Sequence, residues 1–245
     1  KIHTAYFQAG VDIATTNTFA GSSYKLQKAG LEPKAEEINT RGVEIAKQAT
    51  GNGQYVAGSI GPIGEMLDPV GLLSVEKARE LFAEQAGYLA KAGADLFIIE
   101  TMFDLNESQT AIQAVRSFSS LPVFATITFE KKSKGFFTIM GNRVDQCMQD
   151  LAKAGADVVG ANCSLGSEQM VDLAREIKAC TDLPVIIQPN AGMPEATKDG
   201  AFYPEGKEQF AENLLKIKET GVEVIGGCCG TTPEYMRLVV ERIKS

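Results

Sequence analysis

The stretch "KAGADLFIIET" at 91–101 has a near copy in "KAGADVVGANC" at 153–163. Each closes an amphipathic segment with glycine and then enters an unbroken apolar run. Glycine accepts the left-handed turn past a helix end, so the pattern reads as helix, tight turn, buried strand. Two looser copies, "QAGVDIATTNTF" (8–19) and "ETGVEVIGGCC" (219–229), repeat the theme at the two ends of the chain.

Between the copies lie other apolar runs: "QYVAGSIG" (54–61), "LPVFATITF" (121–129) and "LPVIIQPN" (183–190). In the two "LPV" runs proline stands near the strand entrance, where a missing N–H is tolerated. Helical patterns such as 75–93 and 167–180 fill the intervals. Continuous apolar strands alternating with helices imply a parallel sheet covered by helices. Seven strands are expected, at about 11–17, 55–60, 95–100, 122–129, 157–162, 184–190 and 223–228. The matching α/β architecture is a (β/α)8 TIM barrel, which has eight. A doubly wound open sheet is the alternative, but no G-x-G-x-x-G opens a helix after the first strand. Because "KIHTAYFQAG" (1–10) reads as a helix, the expectation is a barrel whose first strand and its loop are missing from this sequence. No break in composition marks a linker, so residues 1–245 read as a single barrel domain.

A net charge of −7 argues against nucleic acid, whose phosphates call for clustered Lys and Arg. The basic run "EKKSKG" (130–135) reads as a solvated loop. No apolar stretch approaches the roughly 18 residues of a membrane helix, so no membrane partner is expected. Five cysteines, an odd number, suit a reducing compartment, and the expected location is cytoplasmic.

Barrel chemistry sits at the carboxyl ends of the strands. Those ends read Thr16-Asn17, Ser59, Glu100-Thr101, Thr128, Asn162-Cys163, Gln188 to Asn190 and Cys228-Cys229. No lysine lies within a strand, which weakens a Schiff-base reading, and the only histidine, His3, sits on the opening helix away from any nucleophile. Cys147 and Cys180 fall on predicted helices and read as core residues. Cys163, Cys228 and Cys229 end strands that lie close across a barrel mouth, and the glycines around the adjacent pair free the chain from the pleat. Three converging thiolates make a zinc site with one open tetrahedral position, suited to holding an incoming thiol as thiolate. On spacing alone other readings stay open: a core cysteine with a chance neighbour, vicinal redox chemistry, or a glycine-rich phosphate loop.

"GANCSLG" (160–166) followed by "GGCCGTTPE" (226–234) resembles the homocysteine S-methyltransferase family, most closely its cobalamin-dependent, methionine-forming branch. "TTNTF" (15–19), "GSIGP" (58–62), "ETMFDLNE" (100–107) and "QPNAGMP" (188–194) fit the same pattern, over essentially the whole chain. The resemblance implies that Cys163, Cys228 and Cys229 ligate zinc and that homocysteine sulfur takes the fourth place. It implies that Glu100 holds the substrate ammonium, that Ser59 and Asn17 meet the polar end of the amino acid, and that Gly160 and Asn162 join the substrate-binding set by shaping the first ligand's loop. The family's first strand ends in an Asp-Gly that also contacts homocysteine, and this sequence lacks that region.

The expected activity is therefore zinc-dependent methyl transfer to homocysteine, giving methionine. The resemblance favours a methylated corrinoid (cobalamin) on another domain or protein as donor, recharged from a methyltetrahydrofolate-binding domain. Betaine or S-methylmethionine are the alternative donors; with no tryptophan in the chain, a quaternary-ammonium cage would need Tyr or Phe. A phosphate-binding lyase or isomerase barrel, and a non-catalytic homocysteine-binding fragment, are the further alternatives.

Overall fold

The computed structural model describes residues 1–198 and 200–244. Helix α1 (Ile2–Gln8) leads to β1 (Ile13–Thr15). Helix α2 (Ser23–Gln27), a 3-10 turn (Glu32–Lys34) and α3 (Ala35–Lys47) lead to β2 (Tyr55–Ile60). Then α4 (Val75–Lys91) precedes β3 (Leu96–Met102), and α5 (Leu105–Arg116) precedes β4 (Val123–Ile127). A hairpin of β5 (Glu130–Lys132) and β6 (Gly135–Phe137) comes before α6 (Val144–Ala154) and β7 (Val158–Gly166). Helix α7 (Ser167–Lys178) leads to β8 (Val185–Asn190), followed by a second hairpin, β9 (Glu195–Thr197) with β10 (Gly200–Phe202). Helix α8 (Lys207–Glu219), β11 (Val224–Ile225) and α9 (Pro233–Lys244) complete the order.

Seven strands form one parallel sheet in the order β1-β2-β3-β4-β7-β8-β11, curled into a half-barrel with β1 and β11 as its edges. All seven expected strands are present, and the two edge strands fall furthest short of the apolar runs that announced them. The run at 11–17 narrows to Ile13–Thr15, and that at 223–228 stops at Ile225, where paired glycines end the pleat. The basic run at 130–135 is half of an antiparallel hairpin rather than a loop, and Cys180 lies just beyond α7. The glycines of the four repeats, Gly10, Gly93, Gly155 and Gly221, all have positive φ, between 93° and 108°, as the helix-end reading requires.

The repeats carry a second device. Their acidic residue accepts a backbone N–H at the start of the neighbouring strand: Asp95 from Val56 at 2.7 Å, Asp157 from Val123 at 2.7 Å, Glu223 from Val185 at 2.8 Å. Each acid is also met by a base from the end of the helix before that strand: Lys47 at 2.6 Å, Arg116, and Lys178 at 2.7 Å. Sliding a strand by one residue would break this contact and turn its side chains over, so the acid pins the register.

Side chains alternate across the strands. One set packs under the helices in the main core, with Phe82, Phe97, Ile99, Ile127 and Phe210 fully buried. The other set makes an apolar floor inside the half-barrel from Ala57, Leu96, Ile98, Val158 and Ile186, with Ile13, Phe124 and Val224 beside them. Two residues further along the same rows, period-2 geometry places Ser59, Glu100, Thr126 and Gln188, with Asn162 level with Gln188. The interior thus changes from apolar to polar toward the carboxyl ends.

Candidate metal centre

The turn after β11 shows how two adjacent cysteines can face one point. Pairing with β8 continues past the strand, through Gly226 N–H to Ile187 O at 3.0 Å and Cys228 N–H to Pro189 O at 2.8 Å. The chain then folds back: Thr231 donates its hydroxyl to Cys228 O at 2.7 Å, and Cys229 N–H reaches Asn190 Oδ1 at 3.2 Å. Tyr6 of α1 ties the turn down from outside by donating to Thr231 O at 2.9 Å. Gly230 closes it at φ +81°, with the Tyr203 ring so near that a Cβ there would lie 2.4 Å from Tyr203 Cγ.

On the opposite side, Cys163 and Ser164 both sit in the left-handed region, at φ 59° and 60°, and Thr101 does so at 61°. Such conformations cost about 1–3 kcal/mol each for ordinary residues and gather at functional sites. Here they swing the Cys163 sulfur out of the β7 pleat toward Cys229.

The sulfurs of Cys163, Cys228 and Cys229 lie within 4.8 Å of one another, with Cys163–Cys229 and Cys228–Cys229 both at 3.9 Å. Tetrahedral sulfurs about 2.3 Å from a zinc ion stand about 3.8 Å apart, so the three fit one face of such a polyhedron with a corner to spare. Without a cation they share protons. Cys229 is drawn down to about 2, first by the hydrogen bond from Cys163 and then by that from Cys228. Cys228 is pushed up by its bonds to Cys163 and Cys229 and then by burial. Cys163 is eased down by Cys228, but Cys229 and burial outweigh this and raise it. One thiolate flanked by two thiols is the metal-free form of a three-thiolate ligand set. Among the described residues it is the only group of three or more His, Cys, Asp or Glu side chains that could hold a metal.

Beside it, Ser59 Oγ donates to Glu100 Oε1 at 2.6 Å. The Ser59 backbone is clamped in turn by Thr16, which accepts from its N–H at 3.0 Å, and Thr18, which donates to its carbonyl at 2.7 Å. Glu100 is raised by desolvation, lowered by the Ser59 bond and raised again by the nearby Cys229 charge. It therefore faces the same space as the sulfurs. That space is a cavity of about 1490 Å³ running from the mouth to the gap between β1 and β11, lined by Glu100, Gln188, Cys228 and Cys229 among others.

Asn17 is exposed on the cavity wall. Gly160 sits lower, inside the sheet, where a Cβ would lie 1.8 Å from Ile186 O; the close approach of β7 and β8 requires glycine there. Asn162 is fully buried and bonded to Thr101, Thr126 and Cys228. Sequence reasoning placed Thr101 and Gln188 at strand ends without giving them a role, and it missed Thr126 and Tyr203. The inward alternation two residues beyond the apolar floor was a signal for Thr126 and Gln188. Tyr203 comes from the second hairpin and left none. A further miss is Glu107 near the start of α5. It is 2% exposed and accepts from Ile63 N–H at 2.6 Å, bracing the loop that leaves β2.

A curled parallel sheet with three convergent thiols at its carboxyl end defines a class: α/β half-barrel proteins with a sulfur cluster at the mouth that could hold a metal. The family model for homocysteine S-methyltransferase matches residues 1–243, and the chain belongs to that family. It is 31% identical over 254 aligned residues to methionine synthases of Mycobacterium leprae and Mycobacterium tuberculosis. Each alignment covers 99% of this chain but only 21% of the relative, so the chain spans about a fifth of the length of these curated relatives. Its fold is similar to that of the homocysteine methyltransferase MmuM from Escherichia coli in its metallated form. The TM-score is 0.81 at 23% identity, covering 98% of this chain and 83% of that one.

Proposed function

We propose that Cys163, Cys228 and Cys229 hold zinc and that the chain directs a methyl group onto the sulfur of homocysteine, forming methionine. The observation that carries this is the sulfur triangle itself, whose 3.9 Å edges match a tetrahedral face. Zinc bound there would supply stabilisation of a fourth, incoming thiol as thiolate near neutral pH. Glu100, steadied by Ser59, receives the substrate ammonium, and Asn17 meets the amino acid at the rim. Gly160 and Asn162 support the strand that delivers Cys163. As the new sulfur–carbon bond forms, the donor–methyl bond breaks, and the thiol proton is released to solvent. The chain needs no further base, and its single histidine, His3, is engaged with Thr15 O at 3.0 Å.

The donor is a methylated corrinoid on another domain, recharged from methyltetrahydrofolate. Supporting this is an apolar rim on the loops leaving the strands: Val70, Leu72, Ile139 and Phe202 are 67%, 96%, 66% and 55% exposed. A rim of that kind suits a docking domain better than a small soluble donor such as betaine or S-methylmethionine. Among the described residues no helix is long and apolar enough to cross a membrane. The free thiols suit the reducing cytoplasm.

We also read residues 1–245 as one domain and the half-barrel as a barrel closed by an eighth strand between β11 and β1. The register device supports this. Asp12 occupies the acid position of the first repeat and is paired at 3.3 Å with Lys244, at the end of α9, as the other acids are with their helix-end bases. Only the neighbouring strand's N–H is lacking. An experimental structure with β1 bonded directly to β11 would refute closure.

The methyl-transfer reading is tested by zinc stoichiometry and X-ray absorption with and without homocysteine. One zinc per chain and one added sulfur ligand are expected. Methyl transfer from methylcobalamin, but not from betaine, is expected for the wild type and not for Cys228→Ala. Equal activity in both proteins would refute the zinc mechanism.

A further inference from the structure

Asn162 has no hydrogen-bonding capacity left for a substrate. Its Oδ1 accepts from Thr101 N–H at 2.8 Å and from the Thr126 hydroxyl at 2.7 Å, filling both lone pairs. Its Nδ2 donates to Thr101 Oγ1 at 2.7 Å and to Cys228 Sγ at 3.7 Å, using both hydrogens. The Thr101 N–H can only donate, so it fixes which end of the carboxamide is oxygen. The amino end must then face the sulfur. The side chain is 0% exposed, so it does not swing out to meet a ligand.

Polar groups also neighbour the other sulfurs: the Ser164 backbone acts to lower Cys163, and the Tyr203 hydroxyl acts to lower Cys229. The arrangement answers an electrostatic difficulty. Three thiolates on a divalent cation leave one net negative charge, and a fourth thiolate makes two, in a partly buried site. Hydrogen bonds to the sulfurs spread that charge outward.

We propose that Asn162 is a positioning residue of the metal centre, holding Cys228 and drawing charge from its sulfur through an N–H···S bond, rather than a contact to the amino acid. The inference rests on the metal reading above and deepens it. Thr101 and Thr126 act one step further out, by locking the carboxamide. The strained φ of Thr101 is the means by which its N–H reaches Asn162.

The test uses cobalt(II) in place of zinc, because sulfur-to-cobalt charge-transfer bands report the electron density on the sulfurs. In Asn162→Asp an oxygen replaces the amino group against Cys228. The band should move to lower energy, cobalt affinity should fall roughly 10- to 100-fold as for other outer-shell partners of metal ligands, and homocysteine should bind the loaded protein more weakly. Thr126→Val removes a donor from the far side of the same amide and leaves the N–H···S bond in place. It should lower stability and leave the band where it is. An unshifted band in Asn162→Asp, or an equal shift in Thr126→Val, overturns the proposal. If Asn162→Asp does not fold, the wild type loaded with cadmium-113 decides: a scalar coupling from the Asn162 amide protons to the metal is expected, and its absence overturns the proposal. Normal cobalt or cadmium uptake with neither signature would sink this inference alone, whereas a wild type that takes up neither ion would sink the metal reading and this inference with it.

Discussion

Replacing Glu107 by glutamine should stabilise this protein above neutral pH and do almost nothing below pH 5. Glu107 lies in the first turn of α5, capped by Asp104, and its carboxylate accepts from Ile63 N–H at 2.6 Å. Burial lifts its carboxyl from 4.5 to about 7, against the pull of the Ile63 N–H; Asp104 adds to the rise and Lys25 opposes it. The folded state therefore binds this proton more tightly than the unfolded chain does. The sign follows: stability contributed by this group is highest below about 4.5, declines as pH rises, and reaches its full deficit above about 7. At about 1.4 kcal/mol per pH unit, that deficit is about 3 kcal/mol. Glutamine keeps an oxygen for the Ile63 N–H and carries no charge, so it removes the deficit. Urea unfolding of both proteins at pH 5 and pH 8 measures it. The two should differ little at pH 5, and the variant should gain about 3 kcal/mol at pH 8. Parallel pH dependences in wild type and variant would refute the reasoning, because they would mean that Glu107 titrates alike in the folded and unfolded states.

Two further tests probe the site. Ser59→Ala removes the 2.6 Å bond that favours ionised Glu100, so the Glu100 carboxyl should rise further and the acid limb of kcat/KM for homocysteine should move to higher pH. Losing a bond to a charged group costs about 1.5–3 kcal/mol, so KM should rise at least tenfold, and an unmoved acid limb would count against Glu100 as the ammonium site. Gly230→Ala places a methyl 2.4 Å from Tyr203 Cγ at φ +81°. It should cost about 1–2 kcal/mol in backbone strain alone and weaken zinc binding in a chelator competition; unchanged affinity would show that the turn is not the scaffold of Cys228 and Cys229.

The sheet-strand count and the order of the main elements were legible because they rest on short-range facts: glycine past the helix of each repeat, and apolar runs too continuous for a half-exposed sheet. The three cysteines were legible as candidates because barrel strands put their carboxyl ends on one side. The family pattern then chose among chemistries that spacing alone left open. Other features gave no such signal. The two hairpins carry short, mostly exposed strands, and the register acids look like ordinary helix-end charges until the neighbouring strand is in place. Glu107 carries no sequence signal of burial, since nothing local says that the loop after β2 will cover it. Asn162 read as a neighbour of a ligand, and its role turns on partners 36, 61 and 66 residues away.

By itself the sequence determined the repeated helix–turn–strand unit, because backbone propensity and hydrophobic period act over a few residues. Only the tertiary structure decided which atoms meet at the mouth. The 3.9 Å approach of Cys163 to Cys229, the saturation of Asn162 and the burial of Glu107 all depend on strands curling until distant residues touch. Hydrogen bonds and desolvation act at contact range, and contact between residues far apart in the chain is a property of the fold.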